Sequence, residues 1–177
     1  SNVNNADFTV AVVAPAGPNV ARNSATASFW CSAAQNESGA AGEADYCNTQ
    51  FPLSLSVQTG VSSGNVFGRI FEAGTTEAAG GSASVVAQLG YGSVAANPEY
   101  QAGWSWFPAT FNVQSGNDDE YQASFTAPAV GSYRYGYRFS LDAGATWTYC
   151  DNNQAVDFGA GSNANLAFDL TSLGVLT

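Results

Sequence analysis

The chain has 177 residues, 14 of them acidic and 4 of them arginine, with no lysine, histidine or methionine and a formal net charge of −10. No histidine means no imidazole base, no Ser/His/Asp or Cys/His catalytic set and no imidazole metal ligand. So strong an acidic balance also excludes a basic footprint for nucleic acid or for anionic membrane surfaces.

Elements are predicted in chain order from period-2 alternation, the signature of half-buried strands. Asp7–Ala14 is the first, with Phe8, Val10 and Val12 on one face, followed by a Pro/Gly/Asn joint at Pro15–Asn19. Ala25–Trp30 is a second run, and a loop of small residues follows it. Phe51, Leu53, Leu55 and Val57 then alternate with small and polar residues. Val85, Ala87, Leu89 and Tyr91 form the next strand, while Val66–Phe71 and Trp104–Phe111 read as apolar on both faces. Tyr121, Ala123 and Phe125 oppose Gln122 and Ser124. Tyr133, Tyr135, Tyr137 and Phe139 form a buried ladder with Arg134 and Arg138 solvated opposite. Val156 with Phe158, then Leu166, Phe168 and Leu170, complete the pattern.

Turn clusters such as Ser-Gly-Asn-Asp at 115–118 and Asp-Ala-Gly-Ala at 142–145 separate these runs, as short antiparallel strands require. The expected fold is all-β: an immunoglobulin-like, two-sheet antiparallel sandwich of about 9–10 strands. Residues 1–46 are read as an N-terminal extension and 47–177 as the sandwich module. A chain without methionine is expected to start at Ser1 after processing of a longer precursor.

Three cysteines, Cys31, Cys47 and Cys150, carry no CxxC spacing and make a poor zinc set without histidine. In an oxidising compartment one disulfide with one thiol left over is expected, either Cys31–Cys47 or Cys47–Cys150.

Four clusters carry chemistry. Trp104 and Trp106 share one strand face, and Trp147 and Tyr149 another. These rings fill a sandwich core or, in the alternative reading, form an aromatic platform on which sugars stack, with Asp151 and Asn152 binding hydroxyls. Asp118, Asp119 and Glu120 are oxygen donors in the style of a Ca²⁺ site, but without EF-hand spacing they read as an acidic, solvated turn. Asp142 with Asp151 is a candidate carboxylate pair for glycoside hydrolysis. Nothing marks either as a buried acid, so the chain is read as non-enzymatic and free of cofactors. Lastly, residues 7–14 are a candidate donor strand. Phe8, Val10 and Val12 would complete the sheet of a neighbouring copy, and head-to-tail repetition would give an open filament.

The stretch Tyr133–Asp151, with Val86–Gly92, Ala109–Glu120 and Tyr46–Phe51, resembles a module of secreted myxobacterial proteins over about 46–177. That resemblance implies a secreted β-sandwich. It also implies the pairing Cys47–Cys150, since a cysteine before the first strand there accompanies the cysteine after Trp-Thr-Tyr. A second resemblance is to starch-binding β-sandwich modules, in which a strand with aromatic alternation ends in a Trp-Asp-Asn-Asn-type turn. Here Trp147 to Asn153 reads Trp-Thr-Tyr-Cys-Asp-Asn-Asn. The reading that emerges is a structural subunit of a bacterial extracellular filament or surface assembly, self-partnered and without membrane insertion. Its alternative is a polysaccharide-binding module.

Overall fold

In the computed structural model, residues 42–99, 101–152 and 172–177 are described. They form ten strands: β1 (Tyr46–Phe51), β2 (Ser54–Leu55), β3 (Val66–Phe71), β4 (Val86–Ser93), β5 (Ser105–Pro108), β6 (Thr110–Ser115), β7 (Asp118–Ala123), β8 (Tyr133–Ser140), β9 (Thr148–Cys150) and β10 (Gly174–Leu176). One sheet runs β1-β3-β7-β6 and the other β2-β10-β8-β4-β5, with β9 also pairing β8. The all-β, two-sheet sandwich is the observed architecture. Its pairing is antiparallel except for β10 with β2, which run parallel.

Alternation determines which face is buried. Tyr135, Tyr137 and Phe139 of β8, Leu89 of β4, Ile70 and Val66 of β3 and Tyr121 of β7 point between the sheets and form the core. Tyr137 reaches across to β3 where that strand has no side chain, at Gly68. A Cβ on Gly68 would lie 2.5 Å from the Tyr137 ring, so only glycine leaves room for that tyrosine. Tyr137 donates its hydroxyl to the carbonyl of Val66 at 2.7 Å, which satisfies a polar tip that would otherwise be costly to bury. Cys47 of β1 and Cys150 of β9 form a disulfide joining the two sheets. Beside it, Thr49 Oγ1 donates to the Cys150 carbonyl at 3.0 Å and accepts from Tyr137 N–H at 2.8 Å.

Several predicted elements are corrected. Phe51 to Val57 is not one strand: Phe51 ends β1 in one sheet, and Ser54–Leu55 belongs to the other. The alternation continues across a change of sheet at Pro52, leaving Phe51 and Leu53 about half exposed at 45% and 46%. Trp104–Phe111 likewise divides after Pro108, so that β5 and β6 lie in different sheets. Residues 1–41 of the extension read at 1–46, with Phe8, Val10 and Val12, and the runs at 156–170 lie outside the described residues. No helix among the described residues is long and apolar enough to cross a membrane.

Candidate functional site

The outward face of the six-stranded sheet is built on glycine. Gly90 and Gly92 alternate on β4 with the inward Leu89 and Tyr91, leaving two positions without side chains on the solvent side. Indoles occupy both. A Cβ on Gly90 would lie 2.3 Å from Cε3 of Trp106, and one on Gly92 would lie 2.5 Å from Cδ1 of Trp104. The register places Trp106 opposite Gly90, and Trp104 Nε1 donates to the Ala96 carbonyl at 2.8 Å. The two indoles stack with centroids 5.2 Å apart and 20° between their planes.

The stack continues through a cation. Arg138 of β8 is the cross-strand partner of Gln88, two residues before Gly90 on the same outward face. Its guanidinium lies 4.1 Å from the Trp106 ring centroid and 4.0 Å from that of Trp147. Trp104, Trp106, Arg138 and Trp147 thus form a ladder along the sheet. Tyr149 meets Trp106 edge-on at 5.8 Å. Each cation–π contact of this kind contributes about 0.5–2 kcal/mol.

Polar contacts fix the arginine within the ladder. Arg138 Nε and Nη2 donate to Gln88 Oε1 at 2.9 and 2.6 Å, and Nη1 donates to the Tyr149 hydroxyl at 3.4 Å. Partial burial lowers its pKa from the ordinary guanidinium value, and the Tyr149 contact opposes that shift. The group remains a cation at neutral pH.

The β8–β9 loop presents Trp147. Asp142 accepts from Ser140 Oγ, from Thr146 N–H and from Thr146 Oγ1 at 2.8, 2.8 and 2.7 Å. These bonds hold its carboxyl down at about 2, the Thr146 backbone bond contributing most. Asp142 therefore organises a turn and is held ionised, the opposite of a general acid waiting to donate a proton.

The predicted site residues divide accordingly. Trp104, Trp106, Trp147 and Tyr149 are brought together, on the solvent side of a sheet. This corrects the reading of those rings as sandwich core, whose aromatic members are instead tyrosines and phenylalanines. Asp151 is buried, and its carbonyl accepts from Thr49 N–H, while Asn152 N–H donates to Ser172. Both therefore join the chain's own framework.

Asp118, Asp119 and Glu120 form no solvated turn, because they lie on β7 and alternate between its faces. Asp119 is buried and accepts from Ser82 N–H at 3.1 Å, whereas Glu120 pairs with Arg69 at 3.7 Å. Among the described residues no three His, Cys, Asp or Glu side chains gather to hold a metal. Arg138, read from sequence as freely solvated, is the residue missed. Its signal was the pair of outward glycines, which mark close approach over a strand.

The geometry defines an all-β sandwich with an arginine–tryptophan ladder on one outer face. Part of the chain is 31% identical over 99 residues to an amylopullulanase of Thermoanaerobacter thermohydrosulfuricus, covering 48% of this chain and 7% of that protein. It is also 30% identical over 97 residues to an amylopullulanase of Thermoanaerobacterium thermosulfurigenes, covering 47% of the chain and 5% of the relative. No family model matches the chain.

Proposed function

We propose that the chain is a non-catalytic carbohydrate-binding module of a secreted protein, directed at an α-glucan. The observation that carries this reading is the ladder: three tryptophans placed outside the core, on the solvent side of a sheet. The two relatives are named for action on amylose-type glucan and pullulan. The matched stretch is a small fraction of each, which fits an accessory module. That similarity supports the resemblance to starch-binding sandwiches over the myxobacterial one.

Within the ladder, Trp106 has Trp104 on its Gly92 side and Arg138 on its Gln88 side. Trp104 and Trp147 stand at the two ends of the stack. Sugar C–H faces pack on indole rings of this kind, while Tyr149 and Gln88 supply adjacent polar groups. Filament assembly by strand donation rests on residues 7–14, outside the described residues, and nothing in the comparisons favours it.

Affinity electrophoresis in gels containing amylose or pullulan tests the proposal. The native chain is retarded; Trp104→Ala and Trp147→Ala each weaken retardation about tenfold while keeping a cooperative melt. A native chain that runs alike with and without either glucan overturns it.

A further inference from the structure

A guanidinium has five N–H donors. Three of those on Arg138 are taken, two by Gln88 Oε1 and one by the Tyr149 hydroxyl. Each terminal nitrogen therefore retains one N–H without a protein acceptor among the described residues. Indoles lie over both of its faces, so a ligand reaches the group at its edge.

Arg134 lies four residues earlier on the same outward face of β8, and its Nη1 donates to the Leu173 carbonyl at 3.3 Å. Neither arginine forms an ion pair among the described residues. The one ion pair among the described residues is Arg69–Glu120, on the other sheet. In a chain with 14 acidic side chains, two of the three described arginines thus sit without a carboxylate on the face that carries the ladder.

A partly desolvated guanidinium with two free N–H groups matches an oxyanion better than a neutral hydroxyl. Charge-assisted hydrogen bonds are roughly twice as strong as neutral ones, and the fork fits two oxygens at once. We propose that this face recognises a glycan bearing an oxyanion substituent, with Arg138 as the specificity-determining residue and Arg134 as a second cation. The inference rests on the carbohydrate reading above and narrows it. Two sources share this chemistry: a phosphate monoester on an α-glucan, and the carboxylate of a uronic acid unit.

The experiment uses the full chain with three probes: amylopectin bearing phosphate monoesters, the same amylopectin after phosphatase, and polygalacturonate. The phosphorylated glucan binds about fivefold more tightly than its dephosphorylated form at low salt. That ratio collapses towards one in 1 M NaCl, where exposed charges are screened. Arg138→Gln removes the preference, and Arg138→Lys restores only part of it, because lysine lacks the fork. Arg134→Gln, outside the stack, lowers the ratio about twofold with tryptophan emission unchanged, which separates lost charge from a collapsed ladder.

Equal binding of the two amylopectins overturns the inference and leaves the α-glucan reading standing. Salt-sensitive, Arg138-dependent binding to polygalacturonate alone supports the inference and overturns the α-glucan assignment. No binding to any probe overturns both.

Discussion

On the four-stranded sheet the outward arginine, Arg69, meets a carboxylate. Glu120 pairs with it at 3.7 Å and accepts from Asn112 Nδ2 at 2.6 Å. Gln50, with its amide oriented to satisfy both neighbours, donates to Glu120 at 2.6 Å and accepts from Arg69 Nη2 at 2.9 Å. On the six-stranded sheet the outward Arg138 meets indoles and an amide oxygen, with no carboxylate among the described residues. The first face is charge-compensated within the chain. The second keeps a cation, free donors and large rings at the surface. A self-satisfied network offers a ligand little, whereas an uncompensated aromatic face is where ligand-binding energy is available.

The largest effect expected is on the link that holds the two faces in register. The Cys47–Cys150 bond closes a loop with a sequence separation of 103 and joins β1 to β9. Chain entropy alone puts its contribution at about 4.7 kcal/mol. The double variant Cys47→Ser, Cys150→Ser therefore loses about 4 kcal/mol in urea unfolding followed by tryptophan emission. A loss under 1 kcal/mol would show that the sheets are held by packing alone.

Filling the space under one ring disrupts the aromatic face alone. In Gly90→Ala the new Cβ falls 2.3 Å from Trp106, and the indole must leave its place beside Arg138. Glucan affinity falls about tenfold and stability by about 1–2 kcal/mol, the usual cost of overpacking. Titration calorimetry and thermal melts measure the two effects. Arg69→Ala is the matched change on the other face. It costs about 1 kcal/mol of stability, because a nearly buried Glu120 loses a partner while Arg69 itself is about one-third exposed. Glucan affinity stays within twofold; a larger fall would mean that the faces are not independent.

The sequence made the inward faces legible and the outward ones much less so. Tyr133 to Phe139 shows its buried side because alternation has period 2 and the opposite positions hold arginine and glycine. At Trp106–Phe107 both positions are aromatic, so alternation does not say which faces in; Phe107 packs against the core and Trp106 does not. Gly90 and Gly92 held that information, as empty outward positions beside Leu89 and Tyr91. The break at Pro52 was hidden for another reason, since hydrophobic alternation persisted while the chain changed sheets. Parallel pairing of Gly174–Leu176 with Ser54–Leu55 depends on contacts over 120 residues apart in sequence, which no local pattern encodes.

The smallest effect concerns an acid that sequence placed in a solvated turn. Asp119 faces inward on β7, paired across strands with Gln114 of β6. Asp119 Oδ1 and Gln114 Oε1 are both buried without a hydrogen bond. Gln114 cannot turn its amide to help, because its Nε2 donates to the carbonyls of Thr76 and Gly116. Burial raises the Asp119 pKa, opposed by the Ser82 N–H bond. A carboxyl whose pKa is higher folded than unfolded favours the fold while protonated, and that contribution is lost as pH rises through the folded pKa. Asp119→Asn keeps an acceptor for Ser82, stays neutral at every pH and puts an N–H donor on the position paired across strands with Gln114. At pH 7 the variant is therefore more stable than the native chain, by about 0.5–1 kcal/mol. The gap narrows as pH falls below the ordinary carboxylate range, where the native Asp119 is itself neutral. Paired thermal melts at pH 3 and pH 7 measure both values, and a variant less stable than the native chain at pH 7 would show that the ionised carboxylate is favourable where it sits.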